Sequence, residues 1–366
     1  MCKISVITIC KNEKEHIRKT MDSVLTQEYS DLEYIVVDGG STDGTVELIK
    51  DMMKCDKRVQ MITEPDQGIY DAMNKGIALA QGEYIYFLNV KDYLYDEQVF
   101  SKIAEYLENA QNDIVIGKVI RERWMGNTIE GVNSYLEFKE GLTEGMCVCH
   151  QAIFAKRNYL VDGFDLSFEL AADYNWLCKQ FMAGRQIKIV DIIIAYYDVH
   201  GMAGNAKSKK ISIAECCQIQ KKYFNIDVDY KKKIQYLNKC IINEVLAGWF
   251  VLKQKGVNIS SVLESKGIEK LAIYGMHTLG NILAEELDGT SIVVKCGIDK
   301  NCVFKDVKIP VVKPDDCLEA VDAVIITPMM DYCEIRKTLE SKMDCQVISL
   351  EDIIGWGFEL EGEKIR

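Results

Sequence analysis

The sequence predicts an α/β protein made of two units joined by a helical linker. Three observations carry this. Between Lys3 and Leu88, short β-branched runs alternate with amphipathic helical stretches over four strands and three helices, the pattern of a doubly wound parallel sheet. Residues 211–256 lose the strands and keep a helical period. From Gly267 the strand–helix alternation starts again. The expected boundaries are 1–210, 211–266 and 267–366.

Residues 3–9, KISVITI, predict a buried strand by length and β-branched content. Glu13–Gln27 predicts a helix with Ile17, Met21, Val24 and Leu25 on one face. Leu32–Val37 is the second strand and ends at Asp38-Gly39-Gly40; Ser41-Thr42-Asp43 then supplies N-cap residue types for a helix over Gly44–Lys54. Val59–Thr63 is a third strand, Ile69–Ala80 a helix and 84–88 a fourth strand. Right-handed crossovers put every strand's carboxyl end on one edge, so Asp38, Asp66 and Asp92 are expected to converge there. A helix (Glu97–Ala110) and a strand (Asp113–Val119) follow, then an irregular stretch over 121–149 and a mixed apolar one over Phe154–Gly163. Leu170–Ala183 predicts a helix, Gln186–Ile194 a strand, and the polar Gly201–Lys210 a mobile loop. In the linker, Lys233–Lys253 carries Ile234, Leu237, Ile241, Val245 and Phe250 at helical spacing. The last unit reads as strands at Lys270–Tyr274, Ser291–Ile298, Asp322–Thr327 and Gln346–Leu350, with helices opening at Gly275–Gly280 and over Asp331–Lys342.

A chain of 366 residues fits two or three domains. Its net charge of −12 excludes a general nucleic-acid binder, which needs a basic face. The charge is uneven: Lys207–Lys255 holds eleven lysines against four acids. Such a segment is either a solvated face or a contact for an anionic leaflet, with Trp249 and Phe250 beside it. No run of 18 apolar residues exists to cross a bilayer. Met1 is followed at once by a strand rather than a signal peptide, and fourteen cysteines then fit a reducing cytoplasm. The expected location is cytoplasmic, with peripheral contact at the inner membrane face through 207–255, and a homo-oligomer is compatible with the sequence. Cys147-Val-Cys149-His150 and Cys216-Cys217 lack the paired spacing of a zinc site.

The most informative stretch is EPDQGIYDAMNKGIALAQGEYIYFLNVKD, residues 64–92. A loop leads into a helix with Asp71, Asn74 and Lys75, then into a strand that stops at Asn89, with Asp92 just beyond. Ligands of open α/β sheets bind outside the carboxyl ends of strands. A carboxylate there can hold a hard divalent cation against a diphosphate. These features point to a sugar-nucleotide enzyme.

Residues 3–205 resemble the inverting family 2 glycosyltransferases of GT-A fold, through SVITICKNE (5–13), VVDGGSTDGT (36–45), the 64–89 stretch, HQAIF (150–154) and AADYNW (171–176). GIYDAMNKGI looks most like the bacterial branch that builds capsular, exopolysaccharide or colanic-acid-type glycans. The resemblance implies a GT-A-like nucleotide-diphospho-sugar transferase fold and a nucleoside-diphosphate sugar, a UDP-sugar first, as substrate. The acceptor it implies is a glycan or a lipid-linked hydroxyl. Thr8, Glu13, Asp38 and Asp66 would line the nucleotide pocket, and Asn74 and Lys75 would lie over the nucleotide-sugar. Asp92, with Asn89 and His200, would hold Mn²⁺ or Mg²⁺. Asp173 would be the general base, and His150 and Gln151 would face the acceptor. Each has a plainer alternative: Asp38 a turn former, Asp92 a helix cap, Asp173 a solvated helix residue, His150-Gln151 a core pair, His200 a surface residue. One departure stands out. Where the nearest branch has Asn-Ser-Gly-Asp, this chain has Asn89-Val90-Lys91-Asp92, which sets a cation beside the expected metal.

The last unit has Gly275-Met276-His277-Thr278-Leu279-Gly280 where a dinucleotide fingerprint carries G-x-G-x-x-G, and Asp299 ends the second strand. It resembles the Rossmann-like modules attached to sugar-modifying enzymes, in a structural, assembly or ligand-binding role. Two alternatives to a transferase are a sugar nucleotidyltransferase and a non-catalytic scaffold of a glycan assembly complex.

Overall fold

The structure, a computed structural model, describes residues 3–109, 111–122, 127–198, 206–300, 308–316 and 320–365. The chain separates into two compact units: Met1–Gly204 with Ile211–Tyr230, and Asn205–Lys210 with Lys231–Arg366.

The first unit begins as expected: β1 (Ile4–Cys10), α1 (Ile17–Leu25), β2 (Leu32–Asp38), α2 (Thr45–Cys55), β3 (Val59–Thr63), α3 (Ile69–Leu79) and β4 (Tyr84–Phe87). It continues with β5 (Tyr93–Leu94), α4 (Val99–Leu107), β6 (Ile114–Glu122), β7 (Thr128–Glu130), α5 (Tyr135–Glu144), β8 (Ile153–Lys156), α6 (Ala172–Met182), β9 (Ile187–Asp198) and α7 (Ala206–Phe224). The described residues form one nine-stranded sheet in the order β3-β2-β1-β4-β8-β6-β9-β5, with β7 on β6. The β3, β2, β1 and β4 strands are parallel, whereas β8 runs antiparallel to β4 and to β6. The sheet is therefore mixed, and only its first half is doubly wound. β2 is buried at every position, as a parallel strand covered on both faces must be. Cys10, Asp38 and Thr63 are in register at the ends of β1, β2 and β3. Asp38 and Asp92 thus lie off the same edge, with β1 between β2 and β4.

Two stretches depart from the expected elements. The segment read as irregular, 121–149, contains β7 and α5. Ser134 accepts the N–H of Glu137 as the N-cap of α5, and the Glu137 carboxylate accepts the N–H of Asn133, one residue ahead of the cap. The expected loop over Gly201–Lys210 is helical from Ala206, as the first turn of α7. The lysine-rich stretch is also less charged than its composition: acids from outside it pair with Lys210 (Asp331), Lys253 (Glu286) and Lys255 (Glu361). Among the described residues no helix is long and apolar enough to cross a membrane.

The second unit holds α8 (Tyr230–Gln254), α9 (Ile259–Ser265), β10 (Lys270–Tyr274), α10 (Thr278–Leu287), β11 (Val293–Ile298), β12 (Val311–Val312), β13 (Ala323–Ile326), α11 (Tyr332–Glu340), β14 (Gln346–Ser349) and α12 (Leu350–Ile365). Its described strands form a parallel sheet in the order β12-β11-β10-β13-β14, the 3-2-1-4-5 arrangement of a doubly wound half. A Cβ on Gly280 would meet the Gly275 carbonyl oxygen at 2.1 Å, so that glycine secures close helix–strand packing. Asp299 accepts the Met276 N–H at 2.9 Å and is buried. Its carboxylate therefore closes the β10–α10 loop.

Candidate active site

The carboxyl edge of β1–β4 is a set of loops tied to one another. Asp38 is fully buried, and its Oδ2 accepts the N–H groups of Gly40 and Ser41, both at 3.0 Å. Its other oxygen takes the Ser41 hydroxyl. Asp38 therefore builds its own turn. That turn sets Gly39 against Asp66: a Cβ at 39 would lie 2.1 Å from Asp66 Oδ2 and 3.3 Å from Lys11 Cδ. The half-buried Asp66 accepts the Gly68 N–H at 3.2 Å. The β1 loop is fastened to the same turn, since the Asn12 N–H donates to Ser41 Oγ at 2.7 Å and Asn12 Oδ1 accepts the Thr42 N–H at 2.9 Å.

Three residues expected on the nucleotide have other work here. Thr8 is fully buried, with its hydroxyl 2.9 Å from the Tyr34 hydroxyl and donating to the Leu88 carbonyl at 2.6 Å. It holds the end of β4 from inside the sheet rather than lining a pocket. The Asn74 amide bonds both backbone groups of Phe164, donating to its carbonyl at 3.0 Å and accepting its N–H at 2.6 Å. Lys75 donates to the Pro65 carbonyl at 2.6 Å and pairs with Asp71 at 3.1 Å and Glu64 at 3.2 Å. It fixes the loop ahead of α3. Glu13 lies between His16 Nδ1 at 2.9 Å and Lys91 Nζ at 3.4 Å. The Lys91 cation therefore has a carboxylate partner.

Past β4, Asn89 and Asp92 flank a tight turn in which the Asp92 N–H donates to the Asn89 carbonyl at 3.2 Å, with Lys91 at φ +80. Asp92 is 3% exposed, and its Oδ2 accepts the Gln151 amide. The Asn89 amide nitrogen lies 2.9 Å from His150 Nε2. His150 Nδ1 is 3.6 Å from Asp173 Oδ2, while Asp173 Oδ1 accepts the Tyr70 hydroxyl at 2.9 Å and the Tyr174 N–H at 2.8 Å. If the Asn89 amide donates, Nε2 accepts and the ring proton sits on Nδ1, facing the carboxylate. The structure thus brings together Asn89, Asp92, His150, Gln151 and Asp173, and adds Tyr70, which sequence reasoning had not selected. Tyr70 reads as one more apolar position of α3, and no local pattern marks its hydroxyl. Burial, then the Asp173 charge, pushes the Tyr70 hydroxyl well above the usual phenol range; it is a hydrogen donor at working pH. Behind Asp173 and His150 lies an apolar cavity of about 20 Å³ lined by Phe87, Leu160, Phe164 and Trp176. His200 lies outside the described residues.

Among the described residues there is no cluster of three or more His, Cys, Asp or Glu side chains able to hold a metal. Asn89 Oδ1 is a buried oxygen without a hydrogen-bond partner, a hard donor atom at the strand end. Cations that bind nucleotides keep waters and phosphate oxygens and take only one or two protein oxygens. Asn89 and Asp92 fit that smaller demand, Asp92 on release from Gln151.

Residues 5–164 match the Glycosyl transferase family 2 profile. A PGL/p-HBAD biosynthesis glycosyltransferase of Mycobacterium tuberculosis is 30% identical over 210 residues, which are 55% of this chain and 78% of that protein. A hyaluronan synthase of Pasteurella multocida is 31% identical over 212 residues, 57% of this chain and 22% of that protein. Among solved structures, a mannosyltransferase from Pyrobaculum calidifontis in complex with GDP-Man and Mn²⁺ aligns at TM-score 0.49 and 18% identity, over 64% of this chain and 68% of that one. S. aureus TarS 1-349 in complex with UDP-GlcNAc aligns at 0.47 and 17%, over 65% and 71%. The chain belongs to glycosyltransferase family 2, and the match falls within its first unit.

Proposed function

We propose that the first unit is an inverting transferase, moving a sugar from a nucleoside-diphosphate sugar, first of all a UDP-sugar, to a hydroxyl of a cell-surface glycan or lipid-linked acceptor. One observation carries the reading: the Asp173 carboxylate is held by Tyr70 and faces His150 just beyond the end of β4. A carboxylate within hydrogen-bond reach of an acceptor hydroxyl takes its proton as the glycosidic bond forms. One base suffices for direct displacement, which inverts the anomeric carbon. Retention by double displacement would require a carboxylate nucleophile, and the side chains around Asp173 are a phenol and an imidazole. The same arrangement favours an active transferase over a scaffold. The name of the hyaluronan synthase relative supports a growing glycan as acceptor.

Asp66, with the Asp38–Ser41 turn and Lys11 around Gly39, would receive the nucleotide. His150 and Gln151 would face the acceptor. Asn89 and Asp92 would hold Mn²⁺ or Mg²⁺. Bound there, the cation supplies positive charge opposite the leaving diphosphate. Lys91, paired with Glu13, is turned to a carboxylate and does not add an unpaired charge to that site. Catalysis is assigned to 1–210 together with Ile211–Tyr230, which belongs to the same compact unit, connection to the rest of 211–266, and assembly or ligand binding to 267–366. Lys239, Tyr236 and Phe250 are exposed on α8 and support peripheral contact with an anionic leaflet, narrowed from the wider lysine-rich stretch.

The test is a thermal-shift screen of UDP-, GDP- and dTDP-sugars with Mn²⁺, followed by turnover of the best binder. Wild type is expected to release nucleotide, and Asp173→Asn to bind the same nucleotide-sugar without turnover. Full activity in Asp173→Asn removes the base assignment, and no stabilisation by any nucleotide-sugar removes the reading as a whole.

A further inference from the structure

We infer that α7, which lies beyond the family 2 match, completes the active site, with Glu215 as the positioning residue for Asp173. Glu215 is a buried acid, 9% exposed, on a helix otherwise rich in lysine. Its Oε1 accepts the N–H of Glu169 at 2.6 Å, and its Oε2 accepts those of Leu170 and Ala171, both at 2.9 Å. These N–H groups belong to the two residues ahead of α6 and to its cap residue Ala171, so the carboxylate fastens the segment that enters the helix. The carboxylate that holds this segment comes from a helix more than forty residues further along the chain.

Asp173 is the second residue of α6, so the placement of that first turn sets where its carboxylate points. α7 is itself anchored in the first unit. Ile219 is fully buried in the core, and the Gln220 amide donates to the Thr143 carbonyl at 2.7 Å. Lys222 and Tyr223 both donate to Asn175 Oδ1, at 3.1 and 3.2 Å. α6 is therefore gripped from α7 on both sides of Asp173, through the backbone at 169–171 and through Asn175. Glu215 also reaches the base through Tyr70: after burial and the Asp173 charge, the Glu215 charge adds to the forces that keep that hydroxyl protonated. A carboxylate displaced by about 1 Å costs on the order of a hundredfold in rate, which makes the fixing of this turn a catalytic matter.

The inference rests on Asp173 as the base, and its experiment separates the two claims. In the full-length chain, Glu215→Gln keeps the side-chain shape but turns one acceptor oxygen into an amide that cannot accept. With the nucleotide-sugar that best stabilises the wild type, kcat is expected to fall about tenfold or more. KM for that nucleotide-sugar stays within about twofold, and stabilisation by UDP is retained, because the nucleotide end of the site is not touched. Glu215→Asp, which keeps the charge but withdraws it by one methylene, is read the same way and serves if the first variant fails to fold. Unchanged kcat in folded protein overturns the inference. So does a loss of kcat matched by an equal rise in KM and loss of UDP binding, or failure of both variants to fold, since the role is then merely structural. Asp173→Asn run alongside distinguishes the failures: if it stays active, the base reading is wrong; if it is dead while the Glu215 variants are normal, only the present inference falls.

Discussion

The Tyr70 hydroxyl donates to Asp173 Oδ1 across 2.9 Å, joining the first turn of α3 to the first turn of α6. Two helices separated by about half of the first unit thus meet at the proposed base. Burial and the adjacent carboxylate keep the phenol protonated, so its bond to Asp173 persists across the working pH range. Tyr70→Phe removes that bond and little volume. Hydrogen bonds to charged groups contribute about 1.5–3 kcal/mol, and about 1.4 kcal/mol is tenfold in rate. A fall in kcat of about tenfold or more is expected, with KM for the nucleotide-sugar unchanged. Steady-state kinetics decide it; unaltered kcat would mean that the bond orients nothing of use.

Asn74 illustrates a residue whose motif suggests ligand contact and whose geometry gives architecture. Both ends of its amide are spent on the Phe164 backbone, and Phe164 packs against Tyr70, Phe87 and Trp176. Asn74→Ala leaves an N–H and a carbonyl without partners, at about 1–3 kcal/mol for each group left buried. The melting temperature should drop by several degrees. Nucleotide-sugar affinity, measured calorimetrically at a temperature where the variant is folded, should stay within a few-fold of wild type. A loss of affinity without a loss of stability would return Asn74 to the nucleotide.

The elements that were legible in the sequence are those whose signal is local. The β-branched runs of β1, β2 and β3 and the apolar face of α3 lie within one or two residues of expectation. The loop acids fell on the right edge because parallel crossovers fix that edge. What was not legible depends on distant partners. Asp92 carries the motif of a ligand, yet it meets Gln151, a partner 59 residues away. Glu215 stands in a lysine-rich stretch that reads as linker, and only the folded chain puts it at the start of α6. α5 departs from expectation for a different reason: Gly141 and the charged Glu137, Lys139, Glu140 and Glu144 dilute its apolar period.

Gly39 makes a sharper test of the nucleotide side. Its missing Cβ is the space that the Asp66 carboxylate occupies. Gly39→Ala would put a methyl group 2.1 Å from Asp66 Oδ2, well inside van der Waals contact, so the carboxylate must move. Because Asp66 is only half-buried, it can swing outward at small cost in stability. Affinity for the nucleotide-sugar is expected to fall about tenfold, with the melting temperature within about two degrees of wild type. Equal affinity in the variant would show that Asp66 does not contact the nucleotide.

Asp113, at the other end of the sheet, gives a pH dependence independent of catalysis. Burial alone raises its carboxyl, but the Gln186 N–H, the Lys156 ammonium and the Tyr159 hydroxyl outweigh burial and hold it below the usual range. These partners lie at 3.1 Å each. A carboxyl that is lowered on folding contributes stability that is complete above its unfolded value, near 3.9, and is lost as pH falls through the folded value. Asp113→Asn should therefore destabilise by about 2 kcal/mol at pH 7, a shift of roughly 4–8 °C. The gap between variant and wild type should narrow steadily as pH falls from about 5 to about 3. Thermal melts of both proteins across that range measure it directly. A gap of constant size at every pH would show that the carboxylate's charge contributes nothing to holding β6, β8 and the start of β9 together.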